Sequence, residues 1–146
     1  MDLKKIIQSA KDILPSGIIC LVSDERPLRF TASMARSPIP NLNWALGENF
    51  RQELLAAISL NPSVHDGAMV FMRDERANSN YHLFGWSHRL LPPALTTSRA
   101  TNRGSAFCSS EAMSAVEGVD LVCSWSGFEI ALHRNGVTEC LGENSK

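Results

Sequence analysis

The segment from Asn61 to Val70 holds the side chains best placed for chemistry. Its carboxylate, Asp66, and the small pair Gly67-Ala68 lie on a turn that leads directly into an apolar strand. A strand behind such a turn can hold the carboxylate in place while it still faces solvent, and small residues let a ligand approach the backbone closely. The pattern therefore predicts a ligand-binding turn, whose role depends on the rest of the chain.

A locally positive window follows this turn. No acidic residue occurs between Glu75 and Glu111. The cationic or titratable residues of the window are Arg76, Arg89, Arg99 and Arg103 with His82 and His88. A positive region on an otherwise near-neutral chain suits a small polyanion, and the alternative interpretation is a set of separately solvated surface arginines.

Several well-known catalytic patterns are missing from the sequence. It contains no P-loop, no G-x-G-x-x-G and no H-E-x-x-H, and neither Ser124 nor Ser126 lies in the G-x-S-x-G turn of a serine hydrolase. Ser126-Gly127 instead predicts a tight turn. The four histidines are widely spaced, and each fits a structural role better than that of a metal ligand.

Composition bounds the class of protein. The chain has 146 residues, 44% hydrophobic and 20% charged, which predicts a single globular domain over residues 1–146. A net charge of −1 gives no global electrostatic case for nucleic acid or an anionic membrane as partner. Four widely spaced cysteines and the lack of a long apolar run favour a soluble cytoplasmic protein with reduced thiols.

Hydrophobic periodicity predicts an α/β fold, a mixed β-sheet flanked by helices. Asp2 is the predicted N-cap of the first helix, and Asn135-Gly136 predicts a two-residue hairpin. The predicted helices cover residues 3–14, 47–60 and 105–116, and the predicted strands cover 18–22, 68–72, 81–86, 121–125, 128–133 and 137–141, with a candidate edge strand at 28–30.

The order of these pieces resembles the diadenylate cyclase domain. Members of that family show P-L-H-D-G-A before a strand, then L-P-L-S, then G-T-R-H-R-A-A with S-E a few residues later. This sequence has Pro62 to Ala68 before a strand, then Leu91-Pro92, then Thr101 to Ala106 opening a helix that carries Ser110-Glu111. The resemblance runs from about Ile13 to Gly136, nearly the whole chain.

The resemblance implies a function and a set of roles. Family members join two ATP molecules into cyclic di-AMP, with two protomers face to face and a divalent metal, Mg²⁺ or Mn²⁺, assisting; a homo-oligomer is thus implied. Asp66 would hold the attacking hydroxyl or the metal. The implied nucleotide-binding positions are Gly67 and Ala68 beside the strand, Leu91 by the adenine, Thr101, Asn102, Arg103 and Gly104 at the phosphates, and Glu111 supporting the metal or the phosphate loop.

Two departures from the family pattern bear on activity. Asn102-Arg103-Gly104 replaces the R-H-R triplet, and losing two charge-assisted contacts costs roughly 3–6 kcal/mol, about two to four orders of magnitude in rate. The late S-E-E-T-G stretch appears as Ser124 to Gly127, without the glutamates. Asn and Gly near a helix start do leave backbone N–H groups open, so binding a phosphate is separable from cyclising ATP.

Three interpretations remain at this point. The first is a degenerate diadenylate-cyclase-like domain that binds an adenine nucleotide or a related phosphate ligand as a sensor or regulatory module. The second is an active cyclase in which Arg89 or Arg99 replaces the missing cations. The third is a small α/β interaction domain without a nucleotide site, in which Asp66 caps a turn, Thr101 caps a helix and the arginines are solvated.

Overall fold

The apolar run that follows the first helix forms the central strand of the sheet. The computed structural model describes residues 1–73, 80–93, 104–127 and 129–142. Strand β1, Gly17–Val22, lies between β3, Ala68–Arg73, which runs parallel to it, and β5, Val119–Ser126, which runs antiparallel. Residues Ile19 to Val22 are all buried, because helices cover both faces of the sheet at this point, as the continuous apolar pattern predicts.

The described strands form a seven-stranded mixed sheet in the order β2-β4-β3-β1-β5-β6-β7. The β1–β3 pair is parallel and the other described pairs are antiparallel. The remaining strands are β2, Thr31–Ser33; β4, Tyr81–Leu90; β6, Glu129–Arg134; and β7, Val137–Gly142. The helices are α1, Leu3–Gln8; α2, Phe50–Leu60; and α3, Ser105–Met113, with 3₁₀ turns at Arg26–Phe30 and Pro62–His65.

Each face of the sheet has its own apolar core. On one face, α1 and α2 pack their buried residues, such as Ile7 and Phe50, against the odd-numbered side chains of β1. On the other face, Met113 of α3 packs with Cys20 and Val122. The predicted mixed α/β fold is therefore confirmed, with helices on both sides of the sheet.

Several boundaries differ from those predicted. The candidate edge strand at 28–30 is wrong, because these residues lie in the 3₁₀ turn Arg26–Phe30, which has Pro27 near its start, and the edge strand is Thr31–Ser33. Helix α1 has its predicted N-cap, since Asp2 accepts a hydrogen bond from the Lys5 amide, but it ends at Gln8. At that end the Ser9 hydroxyl donates to the Ile6 carbonyl at 2.6 Å, a local bond that competes with helix continuation.

Two further elements differ in length. Strand β4 continues to Leu90 instead of ending at Trp86, and α3 ends at Met113 instead of Val116. The hairpin at Asn135-Gly136 is confirmed, and both residues have the positive φ angles that a two-residue hairpin turn requires.

The topology brings several chain segments to one end of the sheet. The parallel strands β1 and β3 both begin at this end, and the antiparallel strand β5 finishes there. Strand β6 starts at the same end because it follows β5 through a tight turn. The turn that carries Asp66 therefore lies near the β5–β6 connection.

Candidate functional site

The turn before β3 is held by a buried asparagine. Asn61 is 8% exposed, and its side-chain oxygen accepts hydrogen bonds from the Ser63 amide at 3.1 Å and the Ser63 hydroxyl at 2.7 Å. Its side-chain nitrogen donates to the carbonyl oxygens of Arg36 at 2.7 Å and Pro38 at 3.0 Å. One side chain thus ties the end of α2, the turn and the 36–38 segment together.

Gly67 is a glycine for backbone reasons. Its φ is +76°, and a Cβ at this position would lie 2.8 Å from the carbonyl oxygen of His88. Such a contact with backbone cannot be relieved by moving a side chain. The neighbouring Ala68 is fully buried in the core beneath α3. Their predicted role in admitting a nucleotide stays a prediction.

Asp66 lies exposed at the end of the 3₁₀ turn, next to His65. Its side chain is 58% exposed, and its Oδ1 lies 3.1 Å from Nε2 of His65, which makes an ion pair when that imidazole is protonated. The other ring nitrogen of His65 lies 2.6 Å from the Pro62 carbonyl oxygen. Among the described residues, no group of three His, Cys, Asp or Glu side chains is placed to hold a metal ion.

One carboxylate is still enough for one kind of metal site. Mg²⁺ commonly binds through one or two carboxylates together with substrate phosphates and water. Asp66 could serve as that carboxylate when a nucleotide supplies the phosphates. The predicted Mg²⁺ or Mn²⁺ at Asp66 therefore stays a prediction that the exposure of this side chain permits.

Helix α3 begins directly after a glycine. Gly104 is its N-cap residue, with no side-chain capping bond, and among the described residues other than its chain neighbour no heavy atom lies within 4 Å of where its Cβ would be. The first turn of α3 contains no acidic residue. The first amides of a helix lack intrahelical acceptors and carry the positive end of the helix dipole, so this end can accept an anion.

The turn and the start of α3 line one cleft. Its volume is about 430 Å³, which lies in the range of small-molecule sites. The lining residues are Ser16, Gly17, Ile18, His65, Gly67, Gly104, Ser105, Ala106, Phe107, Ser124, Trp125, Ser126, Glu129 and Ala131. Glu129 is the carboxylate among them, and these lining residues include no Lys or Arg.

The predicted site residues divide into three groups. Gly67 and Gly104 share the cleft, with Asp66 beside it. Ala68, Leu91 and Glu111 are not among the lining residues: Ala68 is buried in the core, Leu91 is 45% exposed after β4, and the Glu111 carboxylate accepts the Thr138 hydroxyl. Thr101, Asn102 and Arg103 lie outside the described residues, as does Arg99.

Sequence reasoning missed a hydrogen-bonded chain beneath α3. The Ser124 hydroxyl lies 2.8 Å from Nε2 of His133, and Nδ1 of His133 lies 2.6 Å from the Thr138 hydroxyl. The Thr138 hydroxyl donates to the Glu111 carboxylate at 2.5 Å. We call this set, Ser124, His133, Thr138 and Glu111, the relay; it starts in the cleft lining and ends on α3.

The relay follows from strand register. Ser124 pairs with Ala131 across β5 and β6, so His133 lies two residues further along the same face. The Asn135-Gly136 hairpin places Thr138 directly opposite His133. Burial lowers the pKa of His133 to about 4, and the nearby Glu111 charge opposes that shift only in part. Alternation on the two strands and the hairpin signal could have revealed the relay.

The chain is similar to known proteins in its structure and not in its sequence. No known protein-family profile matches the chain, and no curated protein matches its sequence. A crystal structure described as a hypothetical membrane spanning protein from Bacillus cereus matches with a TM-score of 0.65 and 17% identity, over 96% of this chain and 61% of that one. A double mutant of DacA from Staphylococcus aureus matches with a TM-score of 0.57 and 13% identity, over 94% of this chain and 82% of that one.

These similarities define a class of fold. At such low identity they show that the chain has a mixed α/β fold like that of DacA, and they carry no more than the fold. The chain spans about 61% of the length of the Bacillus cereus protein. In the part of the chain that the structure describes, no helix is both long and apolar enough to cross a membrane.

Proposed function

We propose that this domain binds an adenine nucleotide or a related phosphate ligand in the cleft and acts as a sensor or regulatory module. The observation that carries the proposal is the convergence of two segments, His65 to Gly67 and Gly104 to Phe107, on one cleft of about 430 Å³. The same two segments were selected from the sequence by their similarity to the diadenylate cyclase pattern. The fold likeness to DacA, a diadenylate cyclase, is compatible with the same ligand class.

The proposed orientation follows from the polarity of the cleft. The phosphates would face the N-terminal end of α3, because that end of a helix favours negative charge. Phe107, which is half-buried, also lines the cleft and would offer apolar surface for a base. Arg103, one residue before Gly104 in the chain, would supply the cation that the described lining does not contain.

The proposal is that the domain binds the nucleotide without cyclising it. Asn102-Arg103-Gly104 supplies one cation where the cyclase pattern supplies three candidate ones. Incubation with ATP and Mg²⁺ or Mn²⁺ therefore should yield no cyclic di-AMP, and robust product formation would replace this proposal by that of an active cyclase.

Calorimetric titration with ATP and cyclic di-AMP tests the binding proposal. Arg103→Ala should weaken ATP binding by about tenfold, since a charge-assisted contact contributes about 1.5–3 kcal/mol. Arg89→Ala is the matched control, because Arg89 is exposed on β4 and is not among the lining residues of the cleft. Equal effects of the two substitutions would contradict the proposed site.

Thermal unfolding gives an independent measurement. A ligand at 100 times its dissociation constant adds about 2.7 kcal/mol of stability. The remaining interpretation, a small α/β interaction domain without a nucleotide site, predicts that the melting temperature does not change. No nucleotide effect in either measurement would favour that interpretation.

A further inference from the structure

The relay has a defined direction that starts at its carboxylate end. A carboxylate only accepts hydrogen bonds, so the single proton of the Thr138 hydroxyl is committed to Glu111. Thr138 must then accept from the neighbouring ring nitrogen, which places a proton on Nδ1 of His133. The direction of each bond is thus set by the one before it.

The same reasoning reaches the cleft. His133 is fully buried, and its lowered pKa keeps the imidazole neutral at pH 7. With its proton on Nδ1, the ring offers only a lone pair at Nε2, so the Ser124 hydroxyl donates to it. Ser124 therefore presents its oxygen lone pairs, without a free proton, to the other groups of the cleft.

We propose that the relay makes Ser124 a specificity-determining acceptor, which binds a hydroxyl or amino group of the ligand and disfavours a phosphate oxygen. The inference rests on the proposed nucleotide site and deepens it. A phosphate oxygen is itself only an acceptor, so it finds no donor at Ser124. The anionic part of the ligand is thereby directed to the start of α3 and the donor group to β5.

The position of the relay supports this role. Ser124 and Gly104 line the same cleft from different elements, a strand and a helix start. Phe107, which also lines the cleft, places its ring edge-on to the His133 ring, with 4.9 Å between the ring centroids. His133, Thr138 and Glu111 are absent from the lining, so they act on a ligand only through Ser124 and are positioning residues.

The tautomer of His133 tests the direction of the hydrogen bonds in the relay without any ligand. Nitrogen NMR of ¹⁵N-histidine-labelled protein at pH 7 should give the shift of a protonated nitrogen at Nδ1 and of a bare nitrogen at Nε2. Thr138→Val removes the hydroxyl with little change of shape and should shift the ring toward the other tautomer, whereas Thr138→Ser should restore the original signals. A proton on Nε2 in the unaltered protein would overturn the proposal.

Nucleotide analogues test the specificity. We would titrate ATP and three analogues that each lack one donor, namely purine riboside triphosphate, 2′-deoxy-ATP and 3′-deoxy-ATP. One analogue should bind about fivefold to tenfold more weakly than ATP, the equivalent of one hydrogen bond. The Ser124→Ala variant should bind ATP only as tightly as the unaltered protein binds that analogue. Its affinity for the analogue should be unchanged.

The outcomes separate this inference from the proposed function. If ATP binds but Ser124→Ala keeps the same discrimination, or all three analogues bind as ATP does, the specificity role is wrong while the nucleotide site stands. If neither ATP nor any analogue binds, the proposed function and the specificity role both fail. The NMR signals still decide the direction of the relay in that case.

Discussion

The two sides of the cleft differ in how firmly the protein holds them. On the β3 side, Asn61 makes four side-chain hydrogen bonds and Gly67 packs against the backbone of β4. On the α3 side, Gly104 makes no side-chain capping bond, and no atom of the described residues beyond its chain neighbour lies within 4 Å of its Cβ position. Substitutions on the first side should therefore change stability, and substitutions on the second side should change binding.

This difference shows which of the two glycines, Gly67 or Gly104, needs a functional explanation. Backbone geometry already explains Gly67, so this residue by itself is no evidence for a ligand. Gly104 has an ordinary φ of −68°, and none of the described residues beyond its chain neighbour lies within 4 Å of its Cβ position. Neither its conformation nor the described part of the chain around it requires a glycine there, so helix capping and access to the helix amides are the two reasons for it.

The largest expected effect comes from Gly67→Ala. The substitution combines a left-handed backbone with a Cβ contact to the His88 carbonyl, and should lower the free energy of unfolding by about 3 kcal/mol or more. Gly104→Ala is the matched control and should lower it by only about 1 kcal/mol or less, the preference of an N-cap for glycine over alanine. Urea denaturation of both variants checks the contrast, and comparable losses would show that the two sides are held alike.

The pH dependence of stability tests the burial of neutral His133 in the relay beneath α3. The folded pKa of His133, about 4, lies below its ordinary value near 6.5, so the unfolded chain takes up the proton first as pH falls. Stability should thus be highest above about pH 6.5 and should decrease toward pH 4, by roughly 2–3 kcal/mol from this group.

The control for this pH effect is His133→Gln. The glutamine variant should lose much of the slope between pH 6.5 and 4, although its overall stability should be lower because the relay is broken. Burial also lowers the pKa of His88, so a smaller slope should persist in the variant. An unchanged slope in His133→Gln would show that His133 titrates normally in the folded protein.

A smaller loss is expected from Asn61→Ala. The substitution leaves the carbonyls of Arg36 and Pro38 without their donor and frees the Ser63 amide, which should cost about 2 kcal/mol. Leu60→Ala, one residue earlier and 51% exposed, is the control and should have a much smaller effect. Chemical denaturation measures both, and a near-neutral Asn61→Ala would mean that the turn is held by other contacts.

The sequence predicted the central strands and helices because their patterns reflect burial. A strand covered on both faces must be apolar throughout, as at Ile18 to Val22, and a helix with one buried face shows its period, as in Phe50–Leu60. The edge strand at Thr31–Ser33 was missed because it is short and half exposed, so burial leaves no pattern in its sequence. The residues predicted as an edge strand, 28–30, instead lie in the 3₁₀ turn that contains Pro27.

The candidate site was predictable only in part. Asp66 and Gly67 were selected because a turn precedes a strong strand in the sequence; Gly67 lines the cleft and Asp66 lies beside it, while their roles stay a prediction. Ser124 and His133 were missed because serine and histidine are common in many contexts. Their contact depends on the register between β5 and β6 rather than on spacing within one segment. Glu111 was selected from the sequence for a ligand role, whereas in the structure its carboxylate accepts the Thr138 hydroxyl.

The most direct test of the nucleotide site is a pair of substitutions at the start of α3, Gly104→Asp and Gly104→Asn. The two side chains have the same shape and cap a helix about equally well, so the variants should be equally stable. Only the aspartate places a negative charge where the phosphates should lie.

Calorimetric titration of both variants with ATP gives the decisive comparison. Gly104→Asp should bind ATP about tenfold more weakly than Gly104→Asn, since a repulsion of about 1.4 kcal/mol corresponds to that factor. The difference should shrink at high salt, as expected for an exposed charge. Equal ATP affinity of the two variants would contradict the placement of the phosphates at the start of α3 and, with it, the account of the cleft as a nucleotide site.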